Sequence, residues 1–213
     1  DGRFLDEHDL PDGNLYKMQW TSRDVVGQHE KRTHSQQGHE DVVSIIDRLE
    51  KTSGEEQWKV IQERFNVAEV ATYFAVNMVL SHWDGFFNNY FPYPDTKSGK
   101  WEMYPWDQDK TWGYYDGLPD DQVFFDMPLS FGMAGDRPPG ARSGGGRGRG
   151  FGFDRGGPMW WREGGCFSRP LLANPQFRKV FLSRTKEILE TLYTREVYFP
   201  QIEAMAGRLE EDV

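Results

Sequence analysis

The chain has 213 residues, 37% of them hydrophobic and 15% aromatic, which is enough to close one sizeable core. Its net charge of −9 argues against nucleic acid as the main partner, because neutralising phosphates takes a basic surface. No apolar run is long enough to span a bilayer, and the only cysteine, Cys166, excludes an internal disulfide.

Residues 1–40 are polar, with Asp12-Gly13-Asn14 as a turn signal ahead of a short candidate strand, Leu15 to Trp20. His29, His34 and His39 recur every five residues among Gln, Gly and charged neighbours. That spacing shares no helix face, so a solvated loop is expected there, not a metal site. From Asp41 the pattern turns helical, with Val42, Val43, Ile45, Ile46 and Leu49 forming one stripe. A second helix is expected from Glu55 to Phe65. Asn66, with Glu69 three residues on, then reads as a capping box opening a third helix. That helix carries Val67, Val70, Ala71, Phe74, Ala75, Met78 and Val79, so it is apolar on most faces and expected to be buried.

It delivers the chain into His82-Trp83-Asp84-Gly85-Phe86-Phe87-Asn88-Asn89, an H-x-D-x-x-x-x-N pattern. This is the spacing at which a protein-kinase catalytic loop places its base and a metal-binding Asn. Tyr90 to Tyr93 and Lys100 to Tyr104 flank a Gly-containing turn and read as a β-hairpin, with Pro92 marking an edge or irregular strand. The hairpin would return Asp107 and Asp109 to the side of Asp84 and Asn89. In an extended segment, Asp107 and Asp109 would point the same way and both could face a metal.

Residues 132–165 differ in kind, being rich in Gly, Arg and Pro. Neither a strand before them nor a helix directly after them supports a phosphate-binding loop, so a mobile surface insertion is expected, with an RGG-like polyanion contact as the alternative. Helical patterning resumes at Asn174 and runs through Leu192, and a last helix is expected from about Pro200 to Leu209. The chain thus divides into 1–40 (linker or end of a small lobe), 41–131 (loop and metal-site core), 132–165 (insertion) and 166–213 (closing helices).

Phosphoryl transfer asks a protein mainly for positioning and for neutralisation of phosphate charge. In that chemistry Asp84 would orient and deprotonate an acceptor hydroxyl, and Asn89 would offer a neutral oxygen to a metal. Asp107 and Asp109 would supply hard oxygens for Mg2+ or Mn2+, with Lys110 pairing to a carboxylate or phosphate. Each residue also has a plainer role. Asp84 and Gly85 can end a helix, Asn88-Asn89 can be turn chemistry, and Asp107-Gln108-Asp109 can open a loop. The plainer roles do not explain why acids and Asn gather at both ends of one hairpin.

These residues resemble the CotH family of spore-coat-protein-H-like atypical protein kinases. The matching stretches are Phe74-Ala75-Val76-Asn77 leading to Ser81-His82-Trp83-Asp84-Gly85, then Asn89-Tyr90-Phe91-Pro92-Tyr93, and then Tyr104 to Gly113 with its Trp106-Asp107-Gln108-Asp109 block. Asp12 to Lys17, and Asn174-Pro175-Gln176-Phe177-Arg178 within the closing helices, also match. The resemblance implies an α+β, protein-kinase-like fold, mostly the helical lobe, with the hairpin between catalytic loop and metal-binding segment. It implies ATP and Mg2+ or Mn2+ as cofactors, and Ser or Thr of secreted or coat proteins as acceptors, hence a secreted or cell-envelope location. It matches Asp84 to the catalytic aspartate and Asp107 to the metal-binding aspartate, with Asn89 and Asp109 beside them and Lys17 towards the nucleotide. It further implies a fragment that begins after the small lobe.

Two other functions fit the residues alone. Acids flanked by Trp and Tyr suit a glycosidase, which needs no metal, and the same fold without turnover suits a surface or coat-assembly protein.

Overall fold

The computed structural model describes residues 2–19, 24–114, 123, 127–133 and 164–210. In chain order these form α1 (Gly2–Glu7), β1 (Tyr16–Lys17), α2 (Val25–Gln28), β2 (Glu30–Lys31), α3 (Glu40–Lys51), α4 (Gly54–Arg64) and α5 (Val67–Val79). A 3-10 turn (Asp84–Phe86), β3 (Tyr90–Pro94), β4 (Trp101–Pro105), α6 (Ser168–Ala173), α7 (Pro175–Thr191) and α8 (Arg195–Glu210) follow. The result is mixed helix with two small antiparallel sheets, β1-β2 and β3-β4, compatible with the expected α+β class. Among the described residues no helix is long and apolar enough to cross a membrane. Most of the Gly/Arg-rich segment, 134–163, lies outside the described residues.

The helix α5 sits at the centre. Val70, Ala71, Phe74, Ala75 and Met78 are buried, and the helix packs along α7, which contributes Phe177, Phe181 and Ile188. The stripe expected for α3 is realised, with Val42, Ile45, Ile46 and Leu49 turned into the same core. Asn174 caps α7, accepting from the N–H groups of Gln176 and Phe177, while Pro175 occupies the first turn, where no N–H is missed. Its Nδ2 also donates to Gln57 Oε1 at 3.0 Å, tying α7 to α4.

Four local expectations meet the structure, and three of them are corrected by it. First, Asn66 and Glu69 form no capping box: Asn66 makes no side-chain cap bond and donates instead to Glu102 Oε1 at 2.8 Å. Glu69 Oε2 accepts the Met103 N–H at 3.0 Å, so both side chains are spent on β4. Second, the edge expected at Pro92 is borne out: β3 belongs to a two-stranded sheet, and Pro92 pairs with Met103, whose N–H is turned outward to Glu69, so a missing donor at Pro92 costs no ladder bond. Third, α8 starts at Arg195, ahead of Pro200, because the Thr194 carbonyl already accepts from Val197 and Tyr198. Fourth, His29 is buried, not solvated: its Nδ1 accepts the Gln19 N–H at 2.9 Å, and its Nε2 lies 3.8 Å from Cys166 Sγ. His34 and His39 are half-buried, His34 bonding to Asn14 and Asp12.

The hairpin turn closes through Asp95, whose N–H donates to the Lys100 carbonyl and whose carboxylate accepts from the N–H groups of Lys97 and Ser98. The register sets Tyr90 opposite Pro105 and Pro94 opposite Trp101. On its other side β3 meets the first sheet, where Met18 N–H donates to the Tyr90 carbonyl at 3.1 Å.

Burial pushes the Glu69 carboxyl from its ordinary 4.5 up to about 8; the Met103 N–H opposes the shift and the Glu102 charge adds to it. A carboxyl raised on folding stabilises the folded form fully below its unfolded value, and that stability is lost as pH rises through the folded value. Unfolding free energy from urea titrations should therefore decline between about pH 4.5 and about pH 8. In Glu69→Gln, which keeps an acceptor for Met103, the decline over that window should be visibly shallower.

Candidate active site

The end of α5 determines where the site begins. Ser81 N–H donates to the Met78 carbonyl and His82 N–H to the Asn77 carbonyl at 2.8 Å, with Ser81 at φ +50°. This is a Schellman termination in which Ser takes the left-handed position that Gly usually fills. It turns the chain sharply, and Asp84 enters a buried 3-10 turn immediately afterwards. Gly85 is not the left-handed residue at this corner. It is required for space: a Cβ there would lie 2.7 Å from His82 Nδ1 and 2.9 Å from Asn77 Nδ2.

Asp84 is 4% exposed. Its Oδ2 accepts from Asn89 Nδ2 at 2.7 Å and from Asn88 Nδ2 at 3.3 Å, while its Oδ1 is buried without a hydrogen-bond partner. Burial raises its carboxyl to about 6. The Asn88 bond and Lys110 pull it down, and the charges of Asp109 and Asp107 push it up. Those opposing contributions place Asp107, Asp109 and Lys110 in electrostatic reach of Asp84. His82 is fully buried, donating from Nδ1 to Asn77 Oδ1 at 2.9 Å in the matching tautomer. Burial lowers its imidazole to about 4, against a small rise from Asp109, so it is neutral at pH 7.

The hairpin brings the acidic segment back to this loop. Trp106 N–H donates to the Asn89 carbonyl at 3.1 Å, directly beyond the Tyr90–Pro105 pair. The segment is pinned twice more, by Trp112 N–H on the Leu80 carbonyl and by Trp83 Nε1 on the Tyr114 carbonyl at 2.9 Å. Asn89, Asp107 and Trp112 all adopt φ +53°. Asn and Asp tolerate this region, but a bulky Trp rarely enters it, so the pins are what hold the segment in shape. Strand geometry ends at Pro105 and Asp107 is left-handed, so the expected extended Asp-x-Asp alternation does not occur. Both carboxylates are nevertheless exposed, and Lys110 pairs with Asp109 at 3.2 Å while lying over the Tyr114 ring. Lys17 Nζ lies 5.9 Å from the Trp106 ring centroid, one residue before Asp107.

Among the described residues no group of three or more His, Cys, Asp or Glu is placed to hold a metal ion. The oxygens present are those of Asp84, Asp107 and Asp109, with Asn89 Oδ1, since Asn89 Nδ2 is turned to Asp84. This all-oxygen set suits a cation such as Mg2+, which takes one or two carboxylates and leaves its other positions to water and phosphate. The residues therefore fit a divalent cation carried with a phosphate ligand.

Tyr73 escapes sequence reasoning, while Asn77 and His82 stand out there only as parts of the matching stretches. Beneath the loop Tyr73 bonds to the Gly85 carbonyl and Asn77 to His82, and the signal for the helical two is a Tyr and an Asn four residues apart on the buried face of α5. Tyr73 and Asn77 also line a groove of about 1050 Å³ between α5, β4 and α7, which Glu69 and Arg184 share.

Helix, buried acid, hairpin and returning acidic segment together define an α+β protein with a carboxylate-centred site. The model of one family, the CotH kinase protein, matches residues 1–213, and the chain belongs to that family. At the level of the family it is a CotH-like kinase. A search of curated proteins finds no match.

Placing Ser at the left-handed position costs energy that Gly does not incur. Ser81→Gly should raise unfolding free energy by roughly 0.5–1 kcal/mol in denaturant titration, with the loop unchanged.

Proposed function

We propose that this chain transfers the γ-phosphoryl group of ATP to Ser or Thr hydroxyls of protein substrates, in a site assembled from the Asp84 loop and the Asp107 segment. The observation that carries this reading is the double tie at Asn89. Its side chain holds Asp84 and its main-chain carbonyl holds Trp106, so base and metal-ligand candidates are fixed to one residue. The order helix, loop, hairpin, acidic segment supports reading it as the helical lobe of a protein-kinase-like fold, and family membership supports the same chemistry.

Asp84 takes the acceptor hydroxyl. A carboxyl raised to about 6 is ionised at neutral pH yet close enough to it to accept a proton usefully as the hydroxyl attacks. Asn88 and Asn89 fix one carboxylate oxygen through their amides, which leaves Oδ1 for the substrate. Asp107, Asp109 and Asn89 would hold Mg2+ or Mn2+, which when bound neutralises charge on the phosphates. Lys110, already paired with Asp109, adds positive charge at the same place, and Lys17 lies on the Trp106 side, where a nucleotide would approach. Around this core the division at residues 40, 131 and 165 stands as a proposal. Family membership also supports coat or secreted proteins as substrates and the spore coat or cell envelope as the location.

The test is ATP-dependent phosphate incorporation into the protein itself or into casein, with manganese. Asp107→Ala and chelation should each reduce it to background. Asp84→Asn, which keeps shape and hydrogen bonding, should lower the rate by about 10²–10⁴-fold. A well-folded protein that incorporates no phosphate and binds no nucleotide in the presence of metal would overturn the proposal.

A further inference from the structure

Asp84 is the residue on which the proposed transfer depends, yet among the described residues its own side-chain bonds reach only Asn88 and Asn89, within the same loop. The loop has to be located relative to the helix core by something else. Tyr73 supplies the first connection, its buried O–H donating to the Gly85 carbonyl at 2.7 Å, one peptide beyond Asp84. The ring that carries this hydroxyl cannot swing, because it is packed edge-on against Phe74 and tilted against Tyr90.

Asn77, one helical turn further along the same face, supplies the second connection. Its main-chain carbonyl accepts the His82 N–H at 2.8 Å, and its Oδ1 accepts from His82 Nδ1 at 2.9 Å. The imidazole so fixed abuts Gly85, where even a methyl group would collide with it and with Asn77 Nδ2. The loop therefore lies between a hydrogen bond that draws the Gly85 carbonyl to α5 and a pair of side chains that limit how close it comes. A purely structural role would need only burial, and apolar residues would provide that at less cost than a buried Asn77 and a His82 Nε2 with no hydrogen-bond partner among the described residues.

We infer that Tyr73 and Asn77 are positioning residues that set the place of Asp84 through the Gly85 peptide and His82. The inference rests on the phosphoryl-transfer reading of Asp84. Displacing a reacting group by about 1 Å can cost up to about 100-fold in rate, so a single lost tether is expected to be felt in turnover.

The experiment compares Tyr73→Phe, which removes one oxygen, and Asn77→Ser, which withdraws the partner of His82, with the wild type. Two quantities are read. Amide hydrogen exchange is followed at Phe87 and Asn88, whose N–H groups donate to the Asp84 carbonyl at 3.2 and 2.9 Å. Steady-state kinetics in ATP give kcat and KM separately. Exchange at both amides should quicken by about 5–10-fold, the loss of one net hydrogen bond. The kcat should fall about tenfold, with KM for ATP within about twofold of wild type, because neither variant touches Asn89 or Asp107. Unaltered exchange in both folded variants overturns the inference, as does a rise in KM at constant kcat. If the wild type itself transfers no phosphate, the kinase reading fails. Unchanged exchange would then dismiss the tether, and quickened exchange would keep it as a loop anchor independent of that reading.

Discussion

An ionisable carboxyl almost wholly withdrawn from water sits badly with a protein interior, and the neighbourhood of Asp84 is arranged around that difficulty. Two amides from Asn88 and Asn89 meet one oxygen, and Lys110, next to Asp109 in the chain, tempers the negative field. The other oxygen is left without a partner. Sharp backbone at Ser81, Asn89, Asp107 and Trp112 is what gathers these groups from two separate segments. Strain at such corners persists only where surrounding bonds determine the path, and here main-chain bonds from Trp106 and Trp112 do so.

The helical part of the fold was the most legible in sequence. The stripe of α3 and the all-round apolar character of α5 follow from periodicity, because burial of those faces is the main reason the helices exist. Local capping signals are followed only where tertiary partners do not claim the side chain's capping oxygen. Asn174 behaves as a capping residue should, whereas Asn66 and Glu69 carry the same local signal and are claimed by β4, which no local rule sees. His29 was misread for a related reason: polar neighbours in sequence say little about a residue that a distant Cys166 segment covers.

At the site, residue types were easier to read than geometry. Asp84, Asn89, Asp107 and Asp109 stand out by spacing, and the hairpin that unites them follows from its turn chemistry. What spacing could not convey was the left-handed backbone at Asp107, which replaces an alternating strand with a corner. Nor could it show that Tyr73 and Asn77 turn inward from α5, since a tyrosine and an asparagine on a helix are ordinarily unremarkable. Membership of the CotH kinase protein family covers the whole chain and agrees with chemistry centred on these acids.

The diversion of Asn66 and Glu69 has an effect beyond helix capping. A two-stranded hairpin leaves its outer edge as a row of open backbone groups, which is a template for another chain's strand. Along β4 part of that row is already occupied: the Trp101 carbonyl by Asn66 N–H and the Met103 N–H by Glu69, while Pro105 has no N–H to give. A helix terminus thereby covers part of the edge that a foreign strand would need, beside the hairpin that carries the acidic segment to Asp84.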